Sequence, residues 1–584
     1  MSEAGVCKIK TQYILPEQTR TANLNLVSEE DKEKLKNDET SLNIEPEAKK
    51  PRLSKSEKKK LKGQNKSRGP TFVCDRNKEL CDYFIHVADE EEIPACERNN
   101  CQNIHSIPEY LSIKPPDIQE TCYCFETFGK CPRGLACRFG KIHISENGRN
   151  IINKEKYEIY SKSEPYTKNQ LSKDVQWSLR KKTYNFDLSE KLINYNDSLK
   201  EQNQNKQSKP KKTYGSVTDE DIITLKNKEK KKINWKDKLY LSPLTTVGNL
   251  PFRRICKEFG ADITCGEMAM CSSLLQGAPQ EWALVKRHQS EDIFGVQLCA
   301  NNPHLLTKCG QLLQQECEID FVDLNLGCPI DLVFKQGGGS GLLNRNKILE
   351  SCVKNLSDVL TIPMTVKTRT GVYKDNSVAH ILAPKFRDWG VSLITIHGRS
   401  REQRYTRSAN WAYIQQVAHS ASPLPVFGNG DVLSFEDYKQ FREEARDVQG
   451  IMIGRGALIK PWIFNEIKEQ KIWDISSKER FDIIKKYVNY GLDHWGSDSR
   501  GVENTRRFLL EWLSFLYRYI PVGLLECPPQ KINERPPFYV GRDDLETLMA
   551  SPSASDWIKI SEMLLGTVPK GFHFLPKHKA NSYS

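Results

Sequence analysis

From Trp235 onward the chain alternates short apolar runs with longer amphipathic stretches. The apolar runs cover residues 239–241, 262–265, 293–298, 321–324, 364–367, 392–396, 425–427 and 451–453. Between them, stretches such as 304–315 and 346–360 repeat apolar residues at helical spacing. Strands alternating with helices predict parallel βα units, and eight such strands predict a closed α/β architecture, a (β/α)8 TIM barrel over residues 235–473. After about Trp473 the strand pattern stops. Residues 479–495, 503–519 and 556–565 then show helical periodicity with mixed charge, which predicts a separate helical domain over 474–584.

Upstream of the barrel the pattern is weaker. Residues 1–70 are polar, lysine-rich and poor in aromatics, the composition of a disordered tail. Residues 148–234 are rich in Lys, Asn, Gln and Ser and read as a polar linker with some helix but little core. Between these segments, residues 71–147 hold eight of the 18 cysteines.

The polar residues that end the apolar runs carry the candidate chemistry. The runs close on Asn325-Leu326-Gly327-Cys328-Pro329, on Lys367 and Arg369, on His397-Gly398-Arg399, on Asn429-Gly430-Asp431 and on Gly454-Arg455. A parallel barrel presents its functional groups at the C-terminal ends of its strands, so these residues belong on one rim. Gly327 and Pro329 force a turn that holds the Cys328 thiol on that rim. A thiol with the ordinary pKa of about 8.5 is mostly protonated at neutral pH and can serve as a general acid. Lys367 offers a fixed cation to the anionic edge of a reduced flavin. His397 can meet the flavin ring or the substrate, and the glycine turns after the last two strands suit a flavin phosphate. Pro243-Leu244-Thr245 after the first strand and Gln297 on the third complete a flavin bed. Arg369 and Arg399, two residues past Lys367 and His397, are placed for a substrate phosphate or carbonyl. By contrast, Cys256, Cys265, Cys299 and Cys352 read as structural cysteines.

The net charge of +12 points to an anionic partner, and the charge is uneven. Residues 49–68 contain ten basic side chains and one acid, Glu57, and a second lysine-rich run spans 226–238. Such blocks serve as solvated tails or as nuclear-localisation and nucleic-acid patches. Arg506 and Arg507, read as the start of an amphipathic helix, have the same two readings, a solvated face or contact with RNA phosphate. No stretch reaches the ~20 apolar residues needed to span a bilayer, and the first fifteen residues lack a signal-peptide layout. Cytoplasm, nucleus or both, with reduced or metal-bound cysteines, is the expected setting.

Cys122, Cys131, Cys137 and His143 form C-x8-C-x5-C-x5-H. Three thiolates and an imidazole satisfy tetrahedral zinc and let a small domain fold with little core. Phe125, Phe128 and Phe139 lie near Arg138, a pairing on which single-stranded RNA bases could stack. Cys81, Cys96, Cys101 and His105 form a looser C-x14-C-x4-C-x3-H, in which Cys74 or His86 could replace Cys81. Cys124 is an alternative to Cys122.

With these residues in place the chain resembles the tRNA-dihydrouridine synthases, in particular the eukaryotic zinc-finger branch that acts at uridine 47 of the variable loop. The resemblance spans about residues 71–584 and rests on the run from Pro243 to Arg254, on Asn325-Leu326-Gly327-Cys328-Pro329 and on Asn504-Thr505-Arg506-Arg507. Residues 532–537 and the tail 575–581 separate this branch from others. The resemblance implies FMN held by Pro243, Leu244, Thr245, Gln297, Lys367, His397, Asn429, Gly430, Asp431, Gly454 and Arg455, with NADPH or NADH as reductant and Cys328 as proton donor to a flipped uridine. It implies tRNA as substrate, with mRNA as a further candidate. Two other readings bear weighing. One is an FMN oxidoreductase acting on a free pyrimidine, which would need neither the cysteine clusters nor the basic runs. The other is an RNA-binding protein with an inactive barrel, which would not need Cys328, Lys367 and His397 together.

Overall fold

A computed structural model describes residues 5–15, 75–88, 91–205, 229–403, 405, 407–569 and 571–577. The basic run 49–68 and Cys74 lie outside the described residues. The chain divides into two compact units. One comprises Ile159–Trp473 and Pro529–Asn533, and the other Met1–Glu158, Asp474–Pro528 and Glu534–Ser584.

The first of these is the barrel. Its strands are β1 (Leu239–Leu241), β2 (Ile263–Cys265), β3 (Ile293–Cys299), β4 (Phe321–Leu326), β5 (Met364–Arg369), β6 (Leu393–His397), β7 (Val426–Asn429) and β8 (Gly450–Ile453). Neighbours in sequence pair in parallel, β8 pairs with β1, and β2 pairs with β3, so the sheet closes. Most strands run one or two residues beyond the apolar stretches. Polar side chains that end those stretches point into the barrel while their backbone stays in the ladder, as in β5 and β7.

The floor of the barrel is apolar and aromatic. Trp235, just before β1, sits edge-on to Phe321 and Phe427 with ring centroids 5.8 and 6.3 Å away. Tyr240, Ile263, Cys265, Leu393 and Met452 complete this cluster. Gly295 makes room for it, because a Cβ there would fall 2.2 Å from the Phe321 ring. Barrel interiors are filled by such layers rather than left as pores.

The segment expected to be a coreless linker packs on the barrel. Helix α1 (Asp187–Asn205) lies against α2 (Pro303–Glu316) and α3 (Asn346–Val359), with Leu192 and Ile193 buried. Ser189 Oγ donates to Gln311 Oε1 at 2.7 Å, and Thr167–Lys168 pairs antiparallel with Arg287–His288. Two lysines of the second lysine run have partners on the barrel too. Lys230 is buried against Ser357, and Lys231 pairs with Asp320 at 2.8 Å. Lysine stems cover apolar surface while the ammonium finds an acceptor, so a lysine-rich sequence need not be a free patch.

The second unit centres on α4 (Ser477–Trp495), α5 (Ser499–Leu516), the short helix Asp544–Ala550 and α6 (Ala554–Leu565). Ser476 and Glu479 form a capping box on α4, and the Asp498 side chain caps α5 by accepting from Gly501 N–H. The α5 cap lies ahead of the expected start at 503, so Arg506 and Arg507 fall inside the helix. Trp512, Tyr487, Leu509 and Trp557 form the unit's core. Residues 5–15, expected to be disordered, form a strap on this unit. Val6, Ile9 and Ile14 bridge to Arg535, Leu525 and Tyr539, and Cys7 and Ile9 are buried with Leu524 and Tyr539. The alternation of apolar side chains in this stretch is what separates it from the polar tail behind it.

The cysteine-rich segment belongs to the same unit. Helix Tyr123–Phe128 packs on α4, with Tyr123 and Tyr490 rings 6.2 Å apart, and Arg138 N–H donates to Ser497 C=O at 2.8 Å. Among the described residues no helix is long and apolar enough to cross a membrane.

Trp235→Ala removes the plug of the barrel floor. It should destabilise the barrel by about 3–5 kcal/mol, the range for truncating a large buried aromatic. Chemical denaturation followed by circular dichroism would show this as a shifted midpoint for the barrel transition.

Candidate active site and metal-ligating clusters

The floor gives way to polar rows toward the C-terminal ends of β3 to β7. Strand register sets Gln297 beside Asp323, Asp323 beside Thr365, Asn325 beside Lys367, and Arg369 beside His397, which in turn neighbours Asn429. Each of these positions is two residues from the last inward-facing one, the period of a strand. β8, β1 and β2 contribute Met452, Tyr240 and Ile263 instead, so the polar character is one-sided.

A continuous hydrogen-bond chain runs through these rows. The Asp323 carboxylate accepts from Gln297 Nε2 at 2.7 Å and from Thr365 Oγ1 at 2.6 Å. Asn325 Nδ2 donates to Gln297 Oε1 at 2.8 Å, and Asn325 Oδ1 accepts the backbone N–H groups of Gly327 and Cys328 at 3.1 and 2.8 Å. Arg369 Nε donates to Gly327 C=O at 2.8 Å from the other side. The turn that carries Cys328 is therefore held by side chains from both β4 and β5.

Cys328 is 8% exposed and packs with Cys299 and Val333, next to Met268 and Met270. Burial pushes its thiol above the ordinary value, against the pull of Ile330 N–H, Arg369 and Lys367. The thiol therefore stays protonated at neutral pH, the state an acid requires. Burial lowers Lys367 to about 8, helped by Arg369 and opposed by Asp323. Asp323 rises to about 6 through burial despite its two donors.

At the top of β6 the His397 ring is buried, and Tyr405 stacks near it with centroids 6.4 Å apart at 23°. Burial, together with Arg369, Lys367, Arg399 and Arg455, holds the imidazole well below its ordinary pKa. Asp431 follows β7 and accepts from Arg399 Nη2 at 2.7–2.8 Å, from Arg455 Nη2 at 2.7 Å and from Ala409 N–H at 2.7 Å. Its carboxylate is thus occupied by protein donors, and any contact from this residue to a ligand falls to the backbone. Asn429 Nδ2 donates to Met452 C=O at 2.8 Å. Pro243 and Leu244 are partly buried and Thr245 is exposed, directly after β1, while Gly454 precedes the short helix Arg455–Ile459 after β8.

The structure brings Gln297, Cys328, Lys367, His397, Asn429, Gly430 and Gly454 to the C-terminal side of the barrel, as expected. It corrects the arginines. Arg399 is fully buried, with its guanidinium on Asp431 and on Arg407 C=O. Arg369 is buried, and its donors reach Gly327 and Ser400 carbonyls. Both brace the rim rather than face a substrate phosphate or carbonyl. Arg506 is also buried, bonded to Glu503, Ser561, Leu565 and Gly566, and cannot meet RNA. Arg507 is partly exposed and lies over the Phe508 ring. Phe128 and Phe139 are buried in the core and unavailable for stacking, while Phe125 is partly buried 5.4 Å from the His143 ring.

Cys122, Cys131, Cys137 and His143 converge, as do Cys81, Cys96, Cys101 and His105, with ligand atoms within 4.8 Å of one another in each set. Sulfur–sulfur distances are 3.8 Å from Cys122 to Cys131 and Cys137, and 3.6 and 3.8 Å from Cys81 to Cys96 and Cys101. A tetrahedral metal with sulfur bonds of about 2.3 Å requires about 3.8 Å between sulfurs. His143 Nε2 is buried without a hydrogen-bond partner, which fits a donor set that could hold a metal ion. His86 is exposed and outside the first set, and Cys124 is buried outside the second.

Asp323, Asn325, Thr365 and Tyr405 were not singled out as site residues. The first three could have been found from strand alternation, since they share the inward parity of Gln297 and Lys367. Tyr405, in a loop after β6, carries no such signal. Burial and the cations around His397 predict an imidazole that stays neutral through the ordinary histidine titration range. In a histidine ring NMR titration its signals should stay flat over that range, whereas a midpoint near 6.5 would contradict this environment.

Residues 240–514 match the family model described as Dihydrouridine synthase (Dus). A Xenopus tropicalis protein named tRNA-dihydrouridine(47) synthase, NAD(P)(+)-like, is 56% identical over 91% of this chain and 84% of its own. Its Xenopus laevis counterpart of the same name is 52% identical over 100% of this chain and 96% of its own, and the Homo sapiens one 52% over 90% and 84%. With this likeness extending well past the barrel in both directions, the chain belongs to the dihydrouridine synthase family.

Proposed function

We propose that this protein reduces the C5–C6 double bond of uridine 47 in the variable loop of tRNA, with FMN in the barrel and NAD(P)H as the reductant. The observation that carries the reading is the Cys328 turn, which Asn325 and Arg369 hold at the C-terminal end of β4 with the thiol buried. The printed names of relatives identical to this chain at more than half of the aligned positions support the substrate and the position.

The polar rows fit FMN because they place donors, a cation and glycine turns along one half of the barrel mouth. Gln297, Lys367, His397, Asn429, Gly430, Gly454 and Arg455 would hold it, with Pro243, Leu244 and Thr245 along the β1 edge. The chemistry that a bound FMN supplies is hydride transfer to C6 of the uracil, with NAD(P)H as the source. Cys328 Sγ–H gives a proton to C5, and its apolar pocket of Cys299, Val333 and Met270 keeps the thiol from ionising first. With FMN bound, Lys367 would supply a positive charge to a reduced flavin, and neutral His397 would offer a hydrogen bond without competing for that charge. Zn2+ in the two Cys3His sets would hold together the segment from Cys81 to His143, whose own apolar core is small.

The decisive experiment is dihydrouridine mapping by mass spectrometry, using the purified protein, NADPH and tRNA from cells lacking the enzyme. Dihydrouridine confined to the variable loop is the expected result. NADPH oxidation without dihydrouridine would favour a small-molecule substrate. Cys328→Ala should keep its flavin absorbance and its NADPH oxidation but lose about 10²-fold or more of dihydrouridine formation. Elemental analysis should find about two zinc ions per chain, and Cys137→Ser should lower this to about one.

A further inference from the structure

The helix Lys173–Lys181 lies outside the region matched by the family model and has no part in the chemistry above. Its placement on the barrel unit is well defined. The Ser172 side chain caps it by accepting from Val175 N–H at 3.2 Å, and Lys182 ends it in a left-handed conformation. Leu179 is buried, and Gln176 Nε2 donates to Gly277 C=O at 2.9 Å. Gly277 has φ +62°, and a Cβ there would come within 3.2 Å of Gln176, so the helix sits close on that loop.

The opposite face is unusual. Trp177 is 61% exposed and is the one tryptophan among the exposed large apolar side chains of the described residues. Lys173, Trp177, Arg180 and Lys181 stand at i, i+4, i+7 and i+8, so they form one stripe, and Lys182 extends it. All are exposed, and Lys181 Nζ lies 6.0 Å from the Trp177 ring centroid. The helix has a single acid, Asp174. A protein-docking face would surround an exposed tryptophan with further apolar side chains. Here it is surrounded by cations, the combination that takes an unpaired base on an aromatic ring and its phosphates on lysine and arginine.

We propose that this stripe is an RNA-docking surface, with Trp177 stacking an unpaired base and Lys173, Arg180, Lys181 and Lys182 meeting the adjoining phosphates. The inference rests on the reading of the substrate as tRNA and adds a contact outside the catalytic barrel mouth and the cysteine clusters. No bond is made or broken at this surface; it contributes affinity, and kcat at saturating tRNA is independent of it.

The test uses the full-length protein and an unmodified tRNA transcript. Binding is measured by fluorescence anisotropy across a salt series, alongside flavin absorbance and steady-state dihydrouridine formation. Trp177→Ala should weaken binding roughly tenfold or more, and Trp177→Phe should retain most of it, since stacking needs the ring and not the indole. The double variant Arg180→Glu, Lys181→Glu should lower the slope of log K against log salt by about 1.5. In each variant flavin content and kcat should match the wild type, with the change confined to Kd and KM. Binding within twofold of wild type and an unchanged salt slope would overturn the proposal, as would a loss in Trp177→Ala that Trp177→Phe does not restore. A wild-type protein that neither binds tRNA nor forms dihydrouridine would overturn the substrate reading and this surface together. A wild-type protein that does both, with variants that match it, would overturn the surface alone.

Discussion

A parallel barrel that performs chemistry at one end must carry polar side chains inside its own sheet, and each buried polar atom there needs a partner. In this protein Asp323 meets that constraint. Its carboxylate accepts from Gln297 and Thr365, Gln297 accepts from Asn325, and Asn325 holds the N–H groups of the turn that carries Cys328. The position of the thiol therefore follows from a carboxylate five residues earlier, on the strand that leads into its turn. Removing one member would leave buried donors or acceptors without partners, which costs about 1–3 kcal/mol per group and would loosen the turn.

A second buried carboxylate braces the opposite side of the rim. Asp431 takes the guanidinium groups of Arg399 and Arg455 and the N–H of Ala409. This ties the loops after β6, β7 and β8 to one another. A buried carboxylate with charged donors on both oxygens satisfies the groups that surround it, whereas the fully buried Arg399 would lose its counter-charge without it. The two networks brace the polar half of the barrel, while Trp235, Phe321 and Phe427 close its floor with edge-on ring contacts. In the other unit the cysteine and histidine clusters would have the corresponding role with a metal ion bound. The segment from Cys81 to His143 has a modest core of its own, and the ligand atoms of each set lie within 4.8 Å of one another.

Much of the architecture could be read along the chain. Eight apolar runs with helical stretches between them gave eight barrel strands in order, and polar residues at the run ends became the inward rows of the rim. The cysteine spacings marked out two clusters but left Cys81, Cys74 and His86 open for the first, and among the described residues it is Cys81 that converges with Cys96, Cys101 and His105. Reading by composition was weaker. Residues 5–15 and 159–205 look polar on average, yet Cys7, Ile9, Leu192 and Ile193 are buried, because a short segment needs only a few spaced apolar side chains to dock on an existing surface.

What the sequence determined by itself was periodicity and residue chemistry: strand order, which side chains share a face, where cysteines and histidines cluster at metal-ligand spacing, and which thiol stands on a turn. These depend on neighbours a few residues apart, so they survive translation into structure. The direction and occupancy of long charged side chains were decided only by the tertiary fold. Arg369, Arg399 and Arg506 look like RNA or substrate contacts along the chain, and each is instead buried on acceptors supplied largely by distant segments. Lys230 was drawn inward in the same way, while Trp177 was left outside among cations. A guanidinium or ammonium on a flexible stem goes wherever an acceptor can replace its water, and those acceptors exist only once the elements have packed.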